Sequence, residues 1–449
     1  MKKNIPCIIL NIFMAIFLLM PKNISDIFDK VPLRLILLFI TTVINYIYIF
    51  KEKKFEIKGY KFLLLALIFL AFTIPSIFVS TNKTVSLYTF CKFLMSFLFF
   101  ISVVNLSFDK NDYNKLRIVL TISSVILFVY SYFEYIFEIN LFTVGVYHFH
   151  GAKGRVATSF FNTIYYGIFL NIIIPLFTFY LNEAKEKKVK IIYALLIFMA
   201  YISLLLTFTR SAIMIFSGII VLTIILNFKT IINKITTPLY IGMILIGFLI
   251  PGVKDLYNNT FSEVKDLLQS NLLVKFLPSK NNTVDINKDS DETILYTPDA
   301  SLNTRIQLSK IGNVIAKDHY KTGIGFGSYG DYVYSNEYIK NYPDFKNYKT
   351  FPHSTLVLLY SEVGIFSLIS FIMLILLSVL YLFIRYLKEK GIIKELLGLC
   401  LTIIAGFIVV NIVAENAVYD SQIFPFFLMI IGLLLNYELN YKKEKLCQK

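Results

Sequence analysis

About twelve stretches of near-continuous apolar residues recur along this chain, and no other feature limits its fold so tightly. They cover roughly residues 5–20, 32–50, 61–80, 86–107, 116–138, 161–181, 190–207, 211–227, 236–252, 354–384, 395–414 and 421–440. A helix needs ~20 residues to cross the hydrocarbon layer. Inside that layer, only a helix or a closed barrel satisfies its own backbone groups. The runs are continuous rather than alternating, so they read as helices. The expected fold class is an all-α membrane protein with about twelve transmembrane helices. A hydrophobic share of 57% agrees with this. The aromatic share of 16%, all Phe and Tyr, supplies rings for both interfaces.

Charge sets the expected orientation. Met1-Lys2-Lys3-Asn4 followed by Ile5–Met20 resembles a signal peptide, but Pro21-Lys22-Asn23 offers no small-residue cleavage site. The stretch reads as a retained first span. Alternate loops are then basic: Lys51, Lys53 and Lys54; Lys110, Lys115 and Arg117; Lys185, Lys187 and Lys188; Lys229 and Lys234; Arg385, Lys388 and Lys390; Lys442, Lys443 and Lys445. The short loops between them carry few cations. By the positive-inside tendency both termini are expected in the cytoplasm. The net charge of +15 therefore reports topology, and no nucleic-acid partner is expected. The chain divides into helices 1–9 over 1–252, one large extracytoplasmic loop over 253–352, helices 10–12 over 353–440, and a cytoplasmic tail over 441–449. Within the loop, Leu302, Ile306, Ile311 and Ile315 recur at helical spacing and predict a short amphipathic helix. Asn281 to Asp291 reads as a flexible stretch. No internal repeat is visible, which weakens a transporter reading. No pair among the four cysteines has disulfide or zinc spacing.

The polar residues that interrupt this pattern are the functional candidates. His353 stands where the long polar loop meets an apolar run, in Phe351-Pro352-His353-Ser354. An imidazole titrates near neutral pH and can take a proton from a hydroxyl. The alternative is a plain interfacial histidine ahead of a helix. Arg210, in Thr207-Phe208-Thr209-Arg210-Ser211, is a cation in the only polar break within about forty apolar residues. It has no acid beside it, and an anion such as a phosphate suits its guanidinium. A snorkelling arginine is the plainer alternative. Arg305 lies on the loop helix, followed by the glycine-rich Gly323-Ile324-Gly325-Phe326-Gly327-Ser328-Tyr329-Gly330. Such a loop can present N–H groups to phosphate or can simply make tight turns. Arg155 is a third cation on the same side. Glu134 and Glu138 share a helix face and read either as a carboxylate pair or as a wet helix end. Asp289-Ser290-Asp291-Glu292 reads as a solvated acidic run. His148, His150 and His319 lack metal-ligand spacing. In a regular helix Glu362 points away from His353, while Gly364 returns to its face and leaves room for a substrate or helix.

Together these pieces resemble the O-antigen ligase and O-antigen polymerase family of bacterial membrane glycosyltransferases, over about residues 150–380. Thr209-Arg210-Ser211-Ala212 resembles that family's span-turn arginine motif. Arg305 with Gly323-Ile324-Gly325-Phe326-Gly327 resembles its loop helix and glycine turn. His353-Ser354, nine residues, then Gly364 resembles its histidine motif, with Ser367 departing from the usual last position. Gly154-Arg155 and Phe161-Asn162 resemble a further segment. The resemblance implies a polyprenyl-diphosphate-linked glycan as donor, a glycan acceptor on lipid, and inverting transfer without cofactor or metal. It implies catalytic roles for His353, Arg210 and Arg305, and substrate-binding roles for Arg155, Asn162, Gly364 and Glu362. The site would lie on the extracytoplasmic face of the cytoplasmic membrane. A polymerase is the leading expectation. A ligase using lipid A–core and, in a different class, a flippase for the same glycolipid stay open.

Overall fold

A computed structural model describes residues 4–20, 33–52, 58–137, 155–160, 162–231, 240, 242–243, 298–343 and 349–447. Among these residues every regular element is helical. The helices are α1 (Ile5–Leu19), α2 (Leu33–Lys51), α3 (Tyr60–Val79), α4 (Lys83–Asn105), α5 (Lys110–Phe137), α6 (Thr163–Glu183), α7 (Lys187–Leu206) and α8 (Arg210–Ile231). After a gap in the described residues come α9 (Pro298–Asp318), α10 (Tyr329–Val333), α11 (Asn336–Asn341), α12 (Thr355–Lys388), α13 (Ile392–Val413) and α14 (Ile423–Cys447). By length and composition, nine described helices can cross a membrane: α2 to α7 and α12 to α14. The chain is a multi-pass membrane protein. Helices α1 and α8 fall on two more of the apolar runs. The run 236–252 lies almost wholly outside the described residues, as do Gly154, Phe161, Glu138, His148, His150 and the stretches 281–291 and 289–292.

Helix α2 shows how polar side chains can turn inward in a membrane bundle, although most of the core is apolar. On α2 the buried stripe is Arg34, Leu38, Thr41, Thr42 and Asn45, while Phe39, Ile40, Ile47 and Phe50 are exposed. A lipid solvent takes the apolar face, so polar side chains turn inward and bond across helices. Asn45 donates to the Ser102 hydroxyl of α4 at 3.0 Å in this way. Helix α6 is the central post, with Tyr166–Phe179 wholly buried against α7, α8 and α13. At one end of the bundle Asn436 of α14 donates to Val103, Val104 and Leu106 carbonyls at 2.8–3.0 Å. These are the carbonyls that the last turn of α4 leaves without helical partners.

The opposite end carries the loop elements. Helix α9 runs longer than its apolar periodicity alone suggests and lies along α12. A small second core joins Ile311 and Ile315 to Ile324, Tyr329, Tyr332, Val333, Tyr338, Tyr342 and Leu358.

Helix α12 is not regular, which corrects the angular argument drawn from sequence. Gly364 has φ 76° and ψ −180°, so the helix breaks there. Positions on either side no longer share a single wheel. The break frees carbonyls, and the glycine-rich loop takes them. Ile324 N–H donates to Ser361 O and Gly325 N–H to Glu362 O, both at 3.0 Å, while Ile365 N–H donates to Tyr320 O at 2.8 Å. Backbone meets backbone so closely that a Cβ on residue 364 would lie 2.5 Å from Lys321 O. The space beside Gly364 is therefore filled by the loop's main chain rather than left open.

Candidate functional site

Three features occupy this loop-bearing end: a group of arginines, an imidazole–carboxylate pair, and a seam of backbone contacts beside them. The cationic group begins with the α7–α8 turn. Phe208 is forced to φ 45° and the nearby Thr158 to φ 51°. Such left-handed backbone costs a side-chain-bearing residue ~1–2 kcal/mol and must be held in place. Arg155 holds the first: Nε donates to Thr207 O at 3.1 Å, and Nη2 donates to Phe208 O at 2.9 Å and to the Thr209 hydroxyl at 3.3 Å. Glu134 of α5 holds the second, accepting from the Ala157 and Thr158 N–H groups at 3.1 and 2.9 Å. Arg210 follows this turn directly and is half-buried.

Arg305 reaches the same region from α9. Gly312 of that helix sits so close to Val357 and Pro352 that a Cβ there would meet them at 2.6 and 3.2 Å. Arg305 lies seven residues earlier, two helical turns along the same face. That face is turned toward the segment carrying His353. Burial first, and then the positive fields of Arg210 and Arg305, push the Arg155 guanidinium below its ordinary pKa. Arg210 and Arg305 thus both lie within electrostatic range of Arg155.

His353 is half-buried, with 27% of its side chain exposed. Its Nδ1 faces Glu415 Oε2 at 3.7 Å. The separation is too long for a hydrogen bond, so the carboxylate acts on the ring through its field, and Nδ1 has no hydrogen-bond partner among the described residues. The partner was missed in the sequence, although Ala414-Glu415-Asn416 is a polar break between apolar runs like the one at Arg210. Two asparagines brace this pair. Asn416 donates to Pro352 O at 2.7 Å, and Asn411 Oδ1 accepts from Thr355 Oγ1 at 2.9 Å and from Val418 N–H at 3.0 Å.

The two groups share the start of α6. Thr209 donates to the Thr163 hydroxyl at 3.2 Å. Two residues on, the hydroxyl of Tyr165 lies within the electrostatic reach of Glu415 and Asp420. Asn162 caps this helix, its Oδ1 accepting from Ile164 N–H at 2.8 Å. The observed role of Asn162 is thus to fix the first turn of α6.

The seam turns on Glu362. Its carboxylate is fully buried and accepts from Gly327 N–H at 2.8 Å, Tyr329 N–H at 3.1 Å and the Tyr419 hydroxyl at 2.6 Å. Both oxygens are thus engaged within the protein, and the contacts of Glu362 hold the glycine loop and Tyr419 in place. The phosphate-cradle alternative for the glycine loop falls for the same reason: the N–H groups of Gly323, Ile324, Gly325, Gly327, Ser328 and Tyr329 are all engaged within the protein. Lys92 of α4 completes the seam, its Nζ donating to Tyr419 O at 2.6 Å. Burial and the Glu362 carboxylate raise the Tyr419 hydroxyl well above its usual pKa, so it stays a donor. His319 is occupied elsewhere, its Nε2 at 3.2 Å from the Tyr332 hydroxyl.

Residues 194–372 match the family described as O-antigen ligase. That segment belongs to the O-antigen ligase family. It runs from within α7 to just past the break in α12, and it contains Arg210, Arg305, the glycine loop, His353, Glu362 and Gly364. Arg155 and Glu415 lie outside the O-antigen ligase segment yet contact or face residues inside it. No curated protein matches the chain.

Proposed function

We propose that this chain transfers a glycan from a polyprenyl diphosphate carrier to a sugar hydroxyl, as a surface-polysaccharide polymerase. The reading is supported by Arg210 and Arg305 lying within electrostatic range of Arg155, at the same end of the bundle as His353 and Glu415. Guanidinium groups gathered at one end suit a multiply charged anion such as a diphosphate. A diphosphate gains negative charge as its bond to the sugar breaks, and fixed cations stabilise that transition state most.

In this mechanism Arg210 and Arg305 bind the diphosphate. Arg155 mainly shapes the turn that aims Arg210. The Nε2 of His353 removes the proton from the acceptor hydroxyl while its oxygen attacks the anomeric carbon from the face opposite the diphosphate. The carbon–phosphate-oxygen bond breaks, the configuration inverts, and the diphosphate leaves with the bonding electrons. The proton stays on His353, where Glu415 offsets the new charge until it passes to water. The basic loops support a position for this end of the bundle on the extracytoplasmic face of the cytoplasmic membrane. The family description favours a second reading, a ligase that uses lipid A–core as acceptor.

The test uses protein in lipid with a polyprenyl-diphosphate-linked repeat unit. Carrier release with chain growth, abolished by His353→Ala, supports the polymerase. Release only when lipid A–core is added supports the ligase. Glycolipid movement between leaflets without release sinks both and supports a flippase.

A further inference from the structure

Beyond the cationic group, the described loop elements carry exposed rings that no core uses, two of them side by side along α10. Tyr334 is 64% exposed and Phe351 is 45% exposed. Neither ring floats. The Phe351 ring packs on Tyr329 with centroids 5.9 Å apart, and its Cζ rests where a Cβ on Gly330 would lie 3.0 Å away. Lys349 places its Nζ 4.9 Å from the centre of the Tyr334 ring. The segment 349–351 therefore runs along α10, with Phe351 near its start and Tyr334 just beyond its end. Residues 330 and 334 are one turn apart, about 6 Å along the axis. That is close to the length of one sugar ring. Asp331, also exposed, sits three residues before Tyr334 on the same face.

The ridge thus presents two fixed aromatic faces, a carboxylate and an ammonium. Charges on it show that it faces water rather than acyl chains. Apolar faces flanked by hydrogen-bonding groups suit a pyranose, which has C–H bonds on its faces and hydroxyls around its rim. The ridge ends at Phe351, two residues before His353. We infer that Phe351 and Tyr334 form a subsite for the acceptor glycan, holding the sugar chain whose terminal hydroxyl reaches His353. This rests on the transfer reading above and names where its second substrate binds.

The chain has no tryptophan, so Tyr334→Trp creates a single fluorescent reporter at an exposed position. It is placed in a His353→Ala background, in lipid nanodiscs, and titrated with the soluble repeat-unit oligosaccharide freed from its carrier. The expected result is a saturable change in emission, weakened about tenfold by Phe351→Ala, the scale of one well-packed aromatic contact. In the active protein, Phe351→Ala and Tyr334→Ala each raise the acceptor KM about tenfold with kcat nearly unchanged, and Tyr334→Phe restores binding. Unchanged emission in millimolar oligosaccharide overturns the inference. Quenching by brominated acyl chains without glycan overturns it too, because the ring would then lie in lipid. Saturable binding in a protein whose wild type transfers nothing supports the subsite and counts against the transferase reading. Normal transfer with no effect of either ring does the reverse.

Discussion

The pairing of His353 with Glu415 makes a quantitative demand on the chemistry. In the proposed mechanism the imidazole takes the acceptor proton as the new bond forms, so the carboxylate would act on the transition state and not on donor binding. At 3.7 Å a unit pair is worth about 1 kcal/mol in bulk water and about 4.5 kcal/mol at an effective dielectric of 20. The side chains are 27% and 14% exposed, so solvent enters part of the field. An intermediate value of about 2 kcal/mol is reasonable. Glu415→Gln keeps the shape and can still accept the Asn416 N–H at 3.3 Å. It should lower kcat about thirtyfold and leave the donor KM within about twofold. The assay is carrier-diphosphate release with both substrates saturating. If Glu415→Gln turns over within twofold of wild type while His353→Ala is dead, the carboxylate does not support the imidazole and the pairing is incidental.

Three further outcomes test the scaffold. Gly364→Ala drives a Cβ to 2.5 Å from Lys321 O at positive φ and should cost about 3 kcal/mol, read as a lowered thermal midpoint in detergent. Lys92→Met leaves the Tyr419 carbonyl without its donor in a buried place and should cost about 2 kcal/mol, with a parallel fall in kcat and a partial recovery in Lys92→Arg. Arg155→Lys loses the forked grip on Thr207 and Phe208, so donor turnover should fall about tenfold while acceptor KM holds, measured by steady-state kinetics.

Much of the architecture is legible in the sequence because its cause is local. A run of ~20 apolar residues dictates a helix wherever it falls, and α9 announces itself through Ile311 and Ile315. Arg210, Arg305 and His353 are legible as polar interruptions, and they lie at one end of the bundle. What stays hidden depends on partners far away in the chain. Nothing near Glu362 signals that its carboxylate will close on Gly327 and Tyr329, or that Ser361 O will find Ile324. The break at Gly364 is invisible in an unbroken apolar run, where only a single glycine marks it. Glu134 and Arg155 hold turns more than twenty and fifty residues away, which no spacing rule reports. Glu415 is the exception, since the test that picks out Arg210 would have picked it out as well.

The break in α12 also bears on how substrates arrive. Lifting the glycine loop off that helix would strip Ser361, Glu362 and Ile365 of their main-chain partners, and Ser361 and Glu362 are buried in the protein. Each buried group left unpaired costs ~1–3 kcal/mol. The loop is thus a fixed roof and not a hinged door. On the proposed function, a long-tailed carrier would have to enter between helices from the bilayer rather than under a moving loop.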